Sequence, residues 1–119
     1  MIVRDERQKK NILTALGDEY ARRILLSTMR EAKSIERISR DYDIPLTTAY
    51  RRVHELQEAG LVIVQGSHRG PDGKWTDLYR SVASEIRMQF NPSSLDVEIS
   101  ISEDVADKLA RLWGYMRRT

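Results

Sequence analysis

The segment Ser34–Leu61, SIERISRDYDIPLTTAYRRVHELQEAGL, constrains this chain more than any other, because a forced break separates two amphipathic runs. In the first run, about Ser34–Tyr42, Ile35 and Ile38 fall on one side and Ser34 stands where an N-cap belongs. Asp43-Ile44-Pro45 ends it, since Pro disfavours the α conformation for the residue before it. A second helix is expected from Pro45 or Leu46 to about residue 59, with Leu46, Ala49, Val53 and Leu56 on its apolar face. Gly60 follows the last apolar turn, where a left-handed residue commonly closes a helix. That face leaves Thr47, Thr48, Arg51 and Arg52 pointing outward, with Tyr50 at the edge. Short hydroxyl side chains followed by guanidinium groups suit a helix end that lies in the major groove of DNA. The segment predicts a helix-turn-helix whose second helix, about 46–59, is the recognition helix.

The residues that follow extend this reading. Leu61-Val62-Ile63-Val64 is a β-branched run of strand character, and His68-Arg69-Gly70-Pro71-Asp72-Gly73-Lys74 is rich in turn formers. Trp75-Thr76-Asp77-Leu78-Tyr79 can return as the antiparallel partner, with Trp75 expected to brace the hairpin. A hairpin directly after a helix-turn-helix makes a wing, here about residues 66–75. The run TTAYRRVHELQEAGLV, preceded by LGDEYARRILLSTM, closely resembles the winged helix-turn-helix transcriptional regulators of the ArsR type, particularly the small archaeal ones. The resemblance covers about Leu16–Arg80 and extends more loosely into the tail. It implies a regulator that binds double-stranded DNA, and a dimer is expected from the C-terminal segment instead. One departure is visible: the family opens its recognition helix with Ser or a similar cap, whereas Ile44 or Pro45 stands here. A side-chain cap is worth about 1 kcal/mol, and Asp43 is the candidate replacement.

Two further helices are expected before this core, Arg4–Leu16 and Glu19–Arg30. Ile12, Leu13 and Leu16 are the apolar residues of the first, and Asp18 is a plausible N-cap for the second. Within that second helix Tyr20, Ile24, Leu25 and Met29 are expected to face inward. After the wing the period changes to two. Ile86, Met88 and Phe90 alternate with Arg87 and Gln89, Asn91-Pro92-Ser93-Ser94 turns, and Leu95, Val97, Ile99 and Ile101 alternate with Asp96, Glu98 and Ser100. This is a two-stranded hairpin with one apolar face, and such a hairpin needs a surface to pack on. Ser102 can cap a last helix with Glu103 and Asp104 in its first turn and Arg117 and Arg118 in its last, matching the helix dipole at both ends. Val105, Leu109, Leu112 and Met116, with Trp113 beside them, form a stripe that is expected to join two subunits. The other reading is that this helix covers its own chain. The expected class is thus mainly α with small β-hairpins (α+β). Residues 1–80 form the winged helix-turn-helix with its N-terminal helix, and 81–119 the hairpin and dimerisation helix, packed with it as one unit.

Composition narrows the function classes. A chain of 119 residues leaves no room for a catalytic domain beside a winged helix, and no enzyme activity is expected. The absence of cysteine excludes disulfides and thiolate metal sites. Metal-sensing ArsR relatives place Cys or His ligands on the helix before the recognition helix or on the terminal helices, and this chain has none there. His54 and His68, the only histidines, lack metal-site spacing, so neither metal nor other cofactor is expected. With no run of about 18 apolar residues and no signal-like N-terminus, a cytoplasmic, nucleoid-associated location is expected and a membrane partner is not.

The net charge is only +2, and residues 41–80 carry five Lys/Arg against six Asp/Glu, so DNA contact depends on which side of the fold the cations occupy. The candidate contacts are Thr47, Thr48, Tyr50, Arg51, Arg52 and His54 on the recognition helix, and Arg69 and Lys74 on the wing. The alternative is a winged helix used as a protein–protein module in a transcription or replication assembly. The operator, the target genes, an effector and the sign of regulation are not legible in these residues.

Overall fold

The computed structural model describes the backbone of residues 1–118 and the side chains of residues 1–111. A short strand β1 (Ile2–Val3) leads into helices α1 (Glu6–Leu16), α2 (Glu19–Ser27), α3 (Ile35–Asp41) and α4 (Leu46–Glu58). The hairpin β2 (Val62–Arg69) and β3 (Trp75–Ser81) follows, then β4 (Ala83–Asn91), β5 (Ser94–Ile101) and helix α5 (Glu103–Arg118). This is an α+β winged helix-turn-helix.

Local chemistry sets most of the helix ends. Asp5 accepts from the amides of Arg7 and Gln8 and starts α1, later than Arg4 as expected from sequence. Asp18 accepts from the Ala21 amide at the start of α2, and Ser34 from the Arg37 amide at the start of α3. The α3–α4 turn puts Asp43 in the left-handed region at φ 53°, while the Ile44 amide donates to the Ser39 carbonyl at 3.0 Å. Asp43 does not replace the missing cap: α4 opens at Pro45 with no side-chain cap bond. Its far end is fully closed. Gly60 at φ 77° lets the Gly60 amide reach the Gln57 carbonyl and the Leu61 amide reach that of Leu56, at 3.0 and 2.9 Å. Both Leu56 and Leu61 are buried, which adds the apolar contact that accompanies such a cap.

One buried cluster holds the molecule together. Ile12 of α1, Ala21, Ile24 and Leu25 of α2, and Ile35 and Ile38 of α3 meet Ala49, Val53 and Leu56 of α4. Val97 and Ile99 of β5 join the same cluster. Each fully buried aliphatic side chain here contributes about 1.5–3 kcal/mol. Leu46, expected on the apolar face of α4, stands at its first residue and is about half exposed, as is Leu13 of α1.

The second hairpin gains a partner that the sequence pattern did not reveal. β1 pairs antiparallel with β5, Val3 opposite Val97, giving a three-stranded sheet in the order β1-β5-β4. On its inner face Met88 and Ile86 sit opposite Val97 and Ile99. Phe90 continues that face but lies at the hairpin tip, past the reach of the core, and is 87% exposed.

Helix α5 begins on its own chain. Arg80, buried at the end of β3, pairs with Asp104 at 2.6 Å and donates to the Met29 carbonyl at 3.0 and 3.2 Å. Lys108 donates to the Val64 carbonyl at 2.8 Å. Val105, expected at a subunit interface, is instead enclosed by its own chain at 0% exposure, and Leu109 is half-buried. The side chains of Leu112, Trp113 and Met116, the rest of the expected interface, lie outside the described residues.

Candidate nucleic-acid interface

The period of α4 divides it into two faces. Ala49, Val53 and Leu56 point into the core, so Thr47, Tyr50, Arg51 and His54 necessarily share the opposite side, at intervals of three and four residues. All four are exposed, while Thr48 is half-buried. Because Pro45 caps nothing, the first amides of α4 carry no side-chain acceptor, and the positive end of the helix dipole is open beside Thr47.

The two arginines that adjoin in sequence part company in the fold. Arg51 is exposed and makes no ion pair among the described residues. Arg52 is only 25% exposed; its guanidinium pairs with Asp18 at 3.0 Å and with Glu55 at 3.2 Å. Asp18 is also the N-cap of α2, so one carboxylate both starts that helix and holds the recognition helix. Burial pushes the Asp18 carboxyl up, but the Ala21 amide and the Arg52 guanidinium outweigh it and leave it below the ordinary value. The three residues line an open cleft of about 540 Å³ whose walls come from α1, α2 and the later turns of α4.

Tyr50 also has an internal partner. Its hydroxyl donates to the Glu36 carboxylate of α3, and that bond, with burial and the Glu36 charge, raises the phenol above its usual value. Its ring stacks near His54, with centroids 6.5 Å apart and planes 29° apart. Tyr50 is thus partly open to solvent while its hydroxyl ties α4 to α3.

The wing rises from this surface as a twisted hairpin. Lys33, just before α3, exchanges backbone bonds with Tyr79 at 2.9 and 2.8 Å, fixing the base of the hairpin to the helical core. A bulge between Val64 and Ser67, with Gly66 at φ 93°, re-aims the outer part of β2. Strand pairing runs on through Arg69 opposite Trp75, so the tip is Gly70–Gly73, shorter than the His68–Lys74 turn read from sequence. Arg69 donates from Nε to the Gly73 carbonyl at 3.2 Å, and Lys74 is exposed without an ion pair among the described residues. Trp75, expected to brace the hairpin, is 68% exposed. Its outward placement escaped the sequence reading, because alternation along β3 does not tell where the wing leaves the core. Among the described residues no group of three or more His, Asp or Glu side chains could hold a metal ion, and no helix is long and apolar enough to cross a membrane.

Residues 16–65 match the family described as "Helix-turn-helix domain". No curated protein matches the chain in sequence. Among solved structures it is similar to a homodimeric winged helix-turn-helix DNA-binding domain from Mycobacterium bovis, described as a possible ArsR-family transcriptional regulator. That pair shares 20% identity at a TM-score of 0.53, over 98% of this chain and 91% of the other. It is also similar to NolR from Sinorhizobium fredii, with 16% identity and a TM-score of 0.51 over 89% of this chain and 81% of that one. The chain therefore matches a helix-turn-helix domain at residues 16–65 and shares the winged helix-turn-helix fold of these structures.

Proposed function

We propose that this protein is a DNA-binding transcriptional regulator that acts as a homodimer, with α4 in the major groove and the β2–β3 wing on the flanking backbone or minor groove. The observation that carries this reading is the exposed face of α4. Thr47, Arg51 and His54 stand on one side of a helix whose N-terminal amides are uncapped, on the element that a helix-turn-helix presents to base edges. Hydroxyls and open amides suit phosphate oxygens, and an unpaired guanidinium suits the O6/N7 edge of guanine. Arg69 and Lys74 add cations on the wing. Arg52 acts one step back, tying α4 to α2 through Asp18, while Glu55 of the same helix holds its guanidinium in place. The homodimeric state of the Mycobacterium bovis domain supports the same assembly here.

Selection of genomic fragments by the purified protein, followed by sequencing of what is retained, tests the reading. A recurrent motif of two related half-sites is expected. Failure to retain any duplex at low salt would favour a winged helix that docks proteins instead.

A further inference from the structure

Trp75 is the largest apolar side chain of the wing, and it stands in solvent at the outer end of β3. Its surroundings are polar, with cations at the tip of the wing. Arg69 is directly opposite it in the hairpin register and Lys74 is its neighbour, while His68, one pair inward opposite Thr76, belongs to the other face. Of the nearby carboxylates, Asp72 accepts the Lys74 amide at 3.0 Å, and Asp77 lies two residues toward the core on the same strand face as Trp75.

The direction of this face follows from strand geometry. β3 is regular from Trp75 to Ser81, so Trp75 and Tyr79, four residues apart, lie on the same face and roughly 13 Å apart. Tyr79 is buried in the cluster it shares with Ile35 and Ile38 of α3 and Ala49 and Val53 of α4. The strand face bearing Trp75 therefore continues outward from the side of the wing that packs on the helical core.

We propose that Trp75 is a DNA contact, its indole lying against the deoxyribose wall of the minor groove between phosphates held by Arg69 and Lys74. The proposal rests on the DNA-binding reading and adds to it a residue with a different task. The C–H edges of deoxyribose are apolar and suit an indole face, while Nε1–H can donate to a groove acceptor. Every nucleotide offers the same sugar, so this contact adds affinity without reading sequence. The flanking cations favour a polyanion over an apolar protein partner.

Fluorescence and anisotropy distinguish the outcomes. Anisotropy of a labelled duplex reports binding, and the emission difference between wild type and Trp75→Phe isolates Trp75 from Trp113. At saturating duplex the Trp75 emission should be quenched or shifted to the blue. Trp75→Ala should bind selected and scrambled duplexes about tenfold more weakly, and Trp75→Phe should keep most of the affinity. Normal duplex binding with an unchanged Trp75 emission and an unaffected Trp75→Ala variant overturns this proposal and leaves the DNA-binding reading intact. An emission shift produced by raising protein concentration without DNA assigns Trp75 to contact between copies and also overturns it. Absence of duplex binding by the wild type removes both.

Discussion

At the scale of single residues, the contrast between Arg51 and Arg52 decides what each substitution does. Arg51 is unpaired among the described residues and on the open face of α4. Arg51→Ala should therefore relax sequence preference at about 1–3 kcal/mol, whereas Arg69→Ala or Lys74→Ala should weaken all duplexes evenly. Competition binding on a randomised half-site checks this; altered preference in the wing variants alone would reverse the assignment. Asp18 gives a second handle. Its folded carboxyl lies below the unfolded value of about 3.9. The stability it supplies is therefore complete above that pH and fades as pH falls through the lower, folded value. Asp18→Asn keeps an oxygen for the Ala21 amide but loses the charge facing Arg52, so its melting temperature should fall less than the wild type's between about pH 5 and pH 3. Equal losses would mean that the pair contributes nothing. The open side of α4 was legible in its periodicity, which placed Thr47 and Arg51 outward. The tie of Arg52 was not, because its partner lies 34 residues away and caps a different helix.

Among the elements, those with long, clean periods were readable and those made by distant pairing were not. Helix α4 and the β4–β5 hairpin show their apolar spacing plainly, as does the left-handed closure at Gly60. Strand β1 has only two residues, too few to show alternation, and it exists because β5 offers an edge to pair with. Phe90 alternates correctly yet stays exposed, since period assigns a face and not the extent of the core beneath it. The Gly60 closure yields a prediction of its own. At φ 77° a Cβ is strained, and it would stand 3.3 Å from Nε2 of Gln8, a side chain able to swing aside. Gly60→Ala should thus cost about 1–2 kcal/mol, mainly from backbone strain. A urea melt with an unchanged midpoint would show that the turn can relax without loss.

For the whole molecule, charge and assembly together set the affinity expected of the proposed DNA contact. A net charge of +2 gives little overall attraction, so binding must come from local phosphate contacts and should fall steeply between about 50 and 200 mM salt. A nearly flat salt dependence in anisotropy titrations would argue against such contacts. One copy presents one recognition helix, and a dimer doubles the contacts by spanning two half-sites about one helical turn apart. The first turns of α5 are committed to their own chain through Arg80–Asp104, Lys108 and Val105. The proposed interface therefore begins at the half-buried Leu109 and continues along the helix as it runs on to Arg118. Changing Leu109 and Leu112 to Glu should separate the copies while leaving the winged-helix core folded, because Leu109 lies outside its buried cluster. Large apolar side chains contribute about 1.5–3 kcal/mol each when buried, so two such changes on each of two chains should suffice. Light scattering should then give a mass near 13.8 kDa for the variant and about twice that for the wild type. Circular dichroism should be unchanged, and affinity for a two-half-site duplex should drop far more than for a single half-site. A wild type that scatters as one chain would end the dimer proposal and assign the rest of α5 to covering its own fold.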